Sequence, residues 1–218
     1  MTLALYMHPL SSYSQKAVTA FYEKGVDFEL KMLDNSEPVA GEFAALWPIR
    51  RFPILTDDDR MVFEATGVIE YLEAIRPGGT PLIPSDPVAA AEVRMWDRFF
   101  DNYINTPQQR VIMATLGREP ESGPGNVHAT SQLDTAYAVL DQRMAEREWV
   151  SGDTFSMADC AAAPALLYTD WTHPIPGEYR HLWAYRDRLL ARPSYARALD
   201  EARPYRNLFP LPIPEGRD

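Results

Sequence analysis

A Pro- and Gly-rich segment, Pro77-Gly78-Gly79-Thr80-Pro81, is the feature that most constrains the fold of this chain. Before it, short apolar runs alternate with helical patterns; after it, strand signals disappear and only helical periodicity remains. A change of structural class at a segment that favours neither helix nor strand indicates two domains. We therefore predict an N-terminal domain at 1–77, a linker at 78–86 and an all-helical domain with an extended Pro-rich tail at 87–218.

The first part of the chain predicts a small mixed sheet covered by helices. Apolar residues at 3–7 form a strand, and the helix after it ends at Gly25. Alternating residues at 26–33 indicate a second strand, which completes a β-α-β unit. A weak helical pattern at 37–47, a hairpin and a strong helix at 64–75 give the order β-α-β-α-β-β-α.

The second part of the chain predicts helices alone. Its first apolar stripe bends near Pro107, and a later helix begins with a capping box formed by Ser156 and Asp159. Two short helices follow, and the three prolines at 209–214 favour an extended tail over the surface. The stripe before the bend comprises Val93, Trp96, Phe100 and Tyr103.

Charge and composition exclude several classes of function. The net charge of -10 over 218 residues repels nucleic acid and anionic membrane surfaces. The N-terminus lacks the basic start of a signal peptide, and no apolar run reaches the roughly 18 residues of a membrane span. Cys160 is the single cysteine, which excludes an internal disulfide and a CxxC pair. The histidines lack ligand spacing, so we predict no metal. The single cysteine and the N-terminus without a signal-peptide pattern predict a reduced, cytoplasmic protein.

Four segments resemble the cytosolic glutathione transferase superfamily, and in chain order they cover nearly the whole sequence. The run Ser11-Ser12-Tyr13-Ser14 is most similar to serine-type, loosely zeta-like members, with Tyr13 where zeta-class proteins carry a cysteine. The resemblance implies a thioredoxin-like α/β domain followed by an all-α domain, the architecture that the periodicity also favours. The four segments are 5–14, 51–55, 64–72 and 155–159.

Ser11 is the catalytic residue that this resemblance implies. The unperturbed thiol of glutathione has a pKa of about 8.5, and the thiolate is the nucleophile. A hydroxyl that donates to the sulfur favours the thiolate. One charge-assisted hydrogen bond of about 1.5–3 kcal/mol lowers the thiol pKa by about one or two units. The alternative is that Ser11 or Ser12 only caps the helix that follows.

The resemblance places the middle of glutathione at Phe52 and Pro53, whereas the loop before them departs from the family pattern at Arg50 and Arg51. Phe52-Pro53 is similar to the family's cis-proline strand, in which the backbone of the first residue pairs with the cysteinyl backbone of glutathione. Arg51, and Arg50 beside it, would bind the glycyl carboxylate. The alternatives are a trans edge strand at Pro53 and solvated charges at both arginines.

Glu64, Ala65 and Thr66 are assigned to the γ-glutamyl end of glutathione by the same resemblance. In the family an acidic residue meets the ammonium group, and a serine with its N–H holds the carboxylate at the helix N-terminus. Ala65 keeps the backbone donor but lacks the serine hydroxyl, unless Thr66 supplies one. The alternative for Glu64 is a first-turn acid that complements the helix dipole.

A small electrophilic substrate is expected between the domains, in a pocket that includes Tyr103 and Phe100. Aromatic residues at this spacing also suit a core, so that alternative stays open.

The function that the resemblance implies is that of a homodimeric glutathione transferase. Glutathione would be a substrate, or the cofactor of an isomerisation. The alternative is a binding or interaction module of the same fold that has lost turnover, which Ala65 and the two arginines at 50–51 favour. The absence of a cysteine from the loop after the first strand disfavours thiol reduction.

Overall fold

The computed structural model describes residues 3–118 and 124–217. The strands are β1 (Leu3–Met7), β2 (Glu29–Met32), β3 (Ile54–Asp57) and β4 (Arg60–Phe63). The helices of the first domain are α1 (Ser12–Lys24), α2 (Val39–Leu46) and α3 (Ala65–Ile75). The second domain holds α4 (Pro87–Phe99), a π-helix (Phe100–Asn105), α5 (Thr106–Thr115), α6 (Pro124–Met144), α7 (Met157–Thr172), α8 (Arg180–Ala191), α9 (Pro193–Ala202) and a 3₁₀-helix (Arg203–Leu208).

The four strands form one mixed sheet with the order β2-β1-β3-β4, in which β1 and β2 are parallel and the other pairs antiparallel. Because side chains alternate along a strand, Leu5 and Leu55 join the core under α1 and α3. Tyr6 and Ile54 instead pack with Phe43 of α2 on the opposite face. This layering confirms the thioredoxin-like arrangement predicted from the sequence.

The helix α7 is the centre of the second domain and is buried along almost its whole length. Its capping box is confirmed, since the Ser156 N–H donates to Asp159 Oδ2 at 2.9 Å. Tyr185 Oη donates to the other carboxylate oxygen at 2.6 Å. Burial raises the pKa of Asp159, and these donors oppose that shift. None of the described helices has the length and apolar character that a membrane span requires.

The two domains share one hydrophobic core in which α1 packs against α7. Polar side chains cross the same boundary. Gln15 donates to Tyr168 Oη at 2.9 Å and accepts from Tyr195 Oη at 3.0 Å. At the other end of α1, Glu23 accepts two hydrogen bonds from Arg192, at 2.8 and 2.7 Å. These contacts fix both ends of α1 against the helical domain.

The second strand is shorter than the sequence pattern predicts. It spans Glu29–Met32 rather than 26–33, because the preceding residues complete the end of α1. Gly25 adopts a left-handed φ of 61°, and the Val26 N–H donates to Phe21 O at 3.0 Å. Phe28 packs its ring on that of Phe21, with centroids 4.4 Å apart. These contacts are those of a helix C-terminus and not of a sheet.

Candidate functional site

A cleft of about 920 Å³ lies between the sheet domain and the helical domain. One wall consists of the loop after β1, the loop before β3 and the start of α3. The other consists of the π-helix, α5 and the segment that follows α9. The lining residues are His8, Leu10, Ser11, Tyr13, Trp47, Arg50, Arg51, Phe52, Pro53, Phe63, Glu64, Ala65, Asp101, Asn102, Thr106, Gln109, Arg110, Ile112, Met113, Leu208, Phe209 and Pro210.

Ser11 lines this cleft at the N-terminus of α1. Its Oγ caps the helix by accepting a hydrogen bond from the Ser14 N–H at 3.2 Å. Because the oxygen accepts in this bond, the hydroxyl proton stays available to an acceptor in the cleft. Capping the helix and donating into the cleft are therefore compatible roles. Ser12, by contrast, is only 4% exposed and is not part of the lining.

The loop before β3 brings its predicted binding residues to the same wall. The Phe52-Pro53 peptide bond is cis, as predicted. Both residues line the cleft, together with Arg50 and Arg51. Arg50 has a left-handed φ of 56°. Two guanidinium groups beside an extended backbone can bind a carboxylate of a peptide ligand.

The N-terminus of α3 opens onto the cleft next to this loop. Glu64 occupies the N-cap position with a φ of 64°, and its side chain makes no capping hydrogen bond. The N–H groups of the first turn of α3 have no partner inside the helix. The Glu64 side chain does not accept a hydrogen bond from them either. Glu64 and Ala65 both line the cleft. A helix N-terminus beside a carboxylate suits a ligand end that carries both a carboxylate and an ammonium group.

Thr66 lies behind this wall, where its hydroxyl belongs to a buried network. Its Oγ1 donates to Asp97 Oδ2 at 2.7 Å and accepts from Lys16 Nζ at 2.9 Å. Lys16 also pairs with Asp97 at 2.7 Å and with Asp101 at 2.8 Å. The structure therefore corrects the expectation that the Thr66 hydroxyl replaces the serine hydroxyl missing at Ala65. Only the backbone N–H of Thr66 remains for a ligand.

The ammonium group of Lys16 and the carboxylates of Asp97 and Asp101 affect each other's pKa. Burial alone would lower the pKa of Lys16, but Asp101 and Asp97 outweigh burial and raise that pKa above its usual value. Burial raises the pKa of Asp101, against the opposing effect of the Lys16 ammonium group. Asp101 is the member of the network that reaches the cleft lining, so the site has an anchored acidic group on its helical side.

The two aromatic residues predicted for the second-substrate pocket lie elsewhere. Phe100 is fully buried in the core, on the stripe that continues to Ile104. Tyr103 is 49% exposed, packs on the Phe99 ring at 5.3 Å and is absent from the cleft lining. The side chains that do form this wall come from the π-helix and α5: Asp101, Asn102, Thr106, Gln109, Arg110, Ile112 and Met113.

Sequence models of two domains of one family match most of the chain. The glutathione S-transferase N-terminal domain matches residues 5–80, and the glutathione S-transferase C-terminal domain matches residues 87–188. The chain belongs to the glutathione S-transferase family.

Relatives of nearly full length support this assignment to the glutathione S-transferases. "Glutathione S-transferase 3" of Zea mays is 29% identical over 226 residues, which cover 97% of this chain and 96% of the relative. The "Stringent starvation protein A homolog" of Coxiella burnetii is 27% identical and covers 92% of each chain. A glutathione S-transferase structure from Sinorhizobium meliloti superposes with a TM-score of 0.75 at 25% identity, over 92% of this chain and 93% of that one.

Tyr13 is one of the cleft residues to which the sequence analysis assigns no role. It lies in the first turn of α1, two positions after Ser11, and is partly buried. Burial and then the nearby Asp101 raise the pKa of its phenol to about 12. The phenol therefore keeps its proton near neutral pH. The spacing within the Ser11-Ser12-Tyr13-Ser14 run is the signal that could have identified it.

The C-terminal tail adds apolar side chains to the second wall, beside Ile112 and Met113 of α5. Phe209 stacks on Tyr168 with centroids 5.8 Å apart and meets Trp171 edge-on at 5.1 Å. Farther along the tail, Arg217 pairs with the buried Asp170 at 2.6 Å. The tail thus reaches the edge of the cleft, where its contacts with α7 hold it. Nothing in the sequence pattern specified these partners, because α7 is distant along the chain.

Titratable groups in the cleft show no metal-binding arrangement. Within residues 3–118 and 124–217, no three His, Cys, Asp or Glu side chains come together as ligands. His8 lines the cleft, and burial lowers the pKa of its imidazole. Its Nδ1 accepts from the Leu10 N–H at 3.2 Å, which holds the ring in place. Cys160 is fully buried, and burial raises the pKa of its thiol, so it is not a reactive thiolate.

Proposed function

We propose that this protein is a glutathione transferase that activates the thiol of glutathione with the hydroxyl of Ser11. The observation that carries the proposal is the position of Ser11. Its side chain lines the cleft, and its capping bond to the Ser14 N–H uses the oxygen as acceptor and leaves the proton free. A hydroxyl that donates to the bound sulfur stabilises the thiolate over the thiol. The unbonded N–H groups at the start of α1 add positive potential.

Glutathione fits the wall formed by the sheet domain. Its γ-glutamyl ammonium group would meet Glu64, and its α-carboxylate would accept from the N–H groups of Ala65 and Thr66. The cysteinyl backbone would pair with Phe52 beside cis-Pro53. At the other end, the glycyl carboxylate would bind Arg51. The free first turn of α3 and the cleft position of these side chains, apart from Thr66, support this placement.

The electrophile binds against the helical wall and the tail. This wall combines polar side chains of the π-helix and α5 with apolar ones of α5 and the tail, so it suits a small substrate with an apolar body and a polar end. The thiolate sulfur forms a bond to an electrophilic carbon of that substrate. The electron pair that this carbon gives up leaves with a leaving group or moves to a conjugated atom, and the thiol proton is released to solvent.

Comparison of the wild type with Ser11→Ala tests this function. In calorimetric titration and thiolate absorbance, wild type should bind glutathione and hold the thiol pKa below its free value of about 8.5. Loss of the Ser11 hydroxyl should raise the bound thiol pKa by about one or two units and lower turnover near neutral pH about 10- to 100-fold. Ser12→Ala, which changes a buried hydroxyl outside the lining, is the matched control.

Two outcomes would contradict the serine mechanism. The first is that wild type binds glutathione with an unshifted thiol pKa, and the second is that Ser11→Ala leaves both the thiol pKa and turnover unchanged. Because Ser11 also caps α1, its replacement costs about 1 kcal/mol of stability. Unfolding in urea is therefore measured on the same samples.

A non-catalytic binding module is the second candidate function. Two observations favour it: Ala65 lacks a side-chain donor, and the Thr66 hydroxyl is engaged by Lys16 and Asp97. In addition, one nearly full-length relative is named as a stringent starvation protein rather than a transferase. Glutathione binding without turnover against a panel of electrophiles would establish this alternative over the enzyme.

A cytoplasmic homodimer remains our proposal for the state of the protein in the cell. Exposed apolar side chains on α4 and beside the cleft loop support self-association: Val88, Met95 and Ile49 are 79%, 56% and 65% exposed. Light scattering coupled to gel filtration measures the mass directly. A monomer of 24.7 kDa at micromolar concentration would contradict the dimer.

A further inference from the structure

Arg110 lines the cleft and takes no part in the proposed placement of glutathione. It belongs to α5, where Thr106, four positions before it, and Met113, three positions after it, line the same cleft. Residues at this spacing share one face of a helix, so Arg110 lies in the middle of the α5 face that forms the second wall. The residue is exposed, which leaves its guanidinium group accessible to a ligand.

The guanidinium group of Arg110 has no protein partner within residues 3–118 and 124–217. The two acidic residues of the lining are Glu64 and Asp101, and neither forms an ion pair with it. Asp101 is instead held by Lys16 at 2.8 Å. A guanidinium group carries five N–H donors and keeps its charge at any ordinary pH. Arg110 therefore offers a full set of charged donors to a ligand in the cleft.

Glutathione, in the proposed placement, leaves this positive charge without a counter-ion. Its γ-glutamyl ammonium group would meet Glu64, its α-carboxylate the start of α3, and its glycyl carboxylate Arg51, all on the sheet side. Arg110 lies on the opposite wall, where the second substrate would bind. In a protein with a net charge of -10, an unpaired cation at such a position attracts an anionic group of that second substrate.

The neighbours of Arg110 define the rest of the substrate. Ile112 and Met113 of α5 and Phe209 of the tail add apolar side chains to the same wall. A planar guanidinium group binds a carboxylate through two parallel N–H···O bonds. An apolar surface beside one such charge suits a compound with an aromatic or aliphatic body that ends in a carboxylate.

Building on the proposed transferase function, we infer that Arg110 is a specificity-determining residue that selects electrophiles carrying a carboxylate group. The carboxylate accepts hydrogen bonds from the guanidinium group, which holds the substrate on the helical wall, across the cleft from the sulfur at Ser11. Arg110 takes no part in making or breaking bonds. Because it binds the substrate equally in the ground state and the transition state, its effect falls on KM and not on kcat.

Two electrophiles that differ in the charge of one group test this role: 4-chloro-3,5-dinitrobenzoate and 4-chloro-3,5-dinitrobenzamide. In both, the thiolate sulfur forms a bond to the ring carbon that carries chlorine. The carbon–chlorine bond then breaks, chloride leaves with the electron pair, and the thiol proton goes to solvent. Arg110→Met should lower the ratio of kcat/KM for the carboxylate to kcat/KM for the amide about tenfold, through KM, as the loss of one charge-assisted contact does.

Three further measurements identify the cause of this change. Arg118→Met removes the charge of an exposed arginine outside the lining and should leave the ratio as in wild type, which controls for net charge. Arg110→Lys should restore part of the preference, because it keeps the charge but not the paired donors. Added salt should raise the wild-type KM for the carboxylate more than the KM for the amide.

An unchanged ratio in Arg110→Met would reject the inference, while wild-type turnover of the amide would still support the transferase function. A higher Kd for glutathione, or a shifted thiol pKa, in the same variant would place Arg110 on glutathione instead. Failure of wild type to bind glutathione would reject the proposed function, and this inference with it.

A binding measurement decides the case in which wild type binds glutathione but turns over neither compound. Calorimetry then gives the Kd values of the synthetic glutathione conjugates of the two compounds. Arg110→Met should weaken binding of the carboxylate conjugate about tenfold more than binding of the amide conjugate. Equal changes in both Kd values would reject the inference.

Discussion

At the scale of single residues, Lys16 is a fully buried cation that connects the two domains. Its ammonium group contacts Thr66 in the sheet domain and Asp97 and Asp101 in the helical domain. Lys16→Met should lower the free energy of unfolding by about 3–5 kcal/mol, because it leaves buried carboxylates without a counter-ion. Equilibrium unfolding in urea at pH 8 measures this loss.

The pH dependence of the free energy of unfolding of Lys16→Met tests whether unpaired buried carboxylates cause the loss of stability. Without the ammonium group, the carboxylates should bind protons more tightly in the folded state than in the unfolded one. Groups of this kind stabilise the folded state more as pH falls. The loss in free energy of unfolding relative to wild type should therefore be smaller at pH 5 than at pH 8. Lys31→Met, which alters a surface pair with Glu29, should leave the unfolding midpoint nearly unchanged. A deficit below about 1 kcal/mol at pH 8 would contradict a buried-charge role.

Single residues were predictable where their position depends on adjacent chain. Ser11 follows a strand and starts a helix, and Glu64 starts another, so a local pattern is enough to bring both to the cleft. Thr66 was not predictable in this way. Its hydroxyl is engaged by Lys16 and Asp97, which are 50 and 31 positions away along the chain, and no local pattern reports such partners.

At the scale of elements, the C-terminal end of α1 is tied to the start of α9 by Glu23. The carboxylate accepts from Arg192 at 2.8 and 2.7 Å and also from Ser194. A hydrogen-bonded charge contributes about 1.5–3 kcal/mol. Because the Arg192 side chain is 29% exposed, Glu23→Gln should cost near the lower end of that range at pH 7. The exposed pair of Glu70 and Arg94 gives a contrast, with Glu70→Gln costing under about 1 kcal/mol.

The Glu23 contribution should disappear in acid. Burial raises the pKa of Glu23, but its bonds to Arg192 and Ser194 outweigh burial and bring the pKa below the ordinary 4.5. A carboxylate whose folded pKa is depressed stabilises fully above its unfolded pKa and loses that stabilisation as pH falls through the folded value. Urea unfolding should thus show the Glu23→Gln deficit at pH 7, and the deficit should shrink below about pH 4.5. A deficit independent of pH would refute the ionic explanation.

Helical periodicity predicted the existence of the helices better than it predicted which of their side chains face the cleft. Val93, Trp96 and Phe100 are buried as one stripe of α4 and its continuation. The chain then enters a π-helix, whose wider turn rotates every later side chain relative to an α-helical extrapolation. Tyr103 consequently faces solvent and Thr106 faces the cleft. The sequence indicated a bend near Pro107, but it carried no signal for the π-helical turn.

At the scale of the whole molecule, the two-domain order was readable because each domain is built from contacts that repeat along the chain. Alternating apolar residues predicted the strands, and apolar residues at helical spacing predicted the helices. The Pro- and Gly-rich linker indicated where one domain ends and the next begins. The cleft is different, because it exists only where both domains and the tail meet. Phe209 reaches it by packing on α7, and that contact depends on the assembled fold.

The tail therefore offers a test of how the cleft divides its two ligands. Deleting residues 208–218 removes Leu208, Phe209 and Pro210 from the helical side and leaves the sheet-side residues in place. A wall that takes about 50 Å² of substrate out of water contributes about 1.25 kcal/mol, close to tenfold in affinity. We expect the KM of an apolar electrophile to rise about tenfold and the Kd of glutathione to change less than about twofold.

A point variant separates this effect from a general loss of fold. Arg217→Met keeps every lining residue but removes the guanidinium group that pairs with the buried Asp170. Asp170 retains Arg186 at 3.1 Å, so the domain should stay folded, while the tail loses one of its anchors. Its KM for the electrophile should lie between those of wild type and the deletion. If the deletion weakens glutathione binding and spares the electrophile KM, the tail contacts the glutathione side of the cleft, and the division of the walls proposed for the two ligands is wrong.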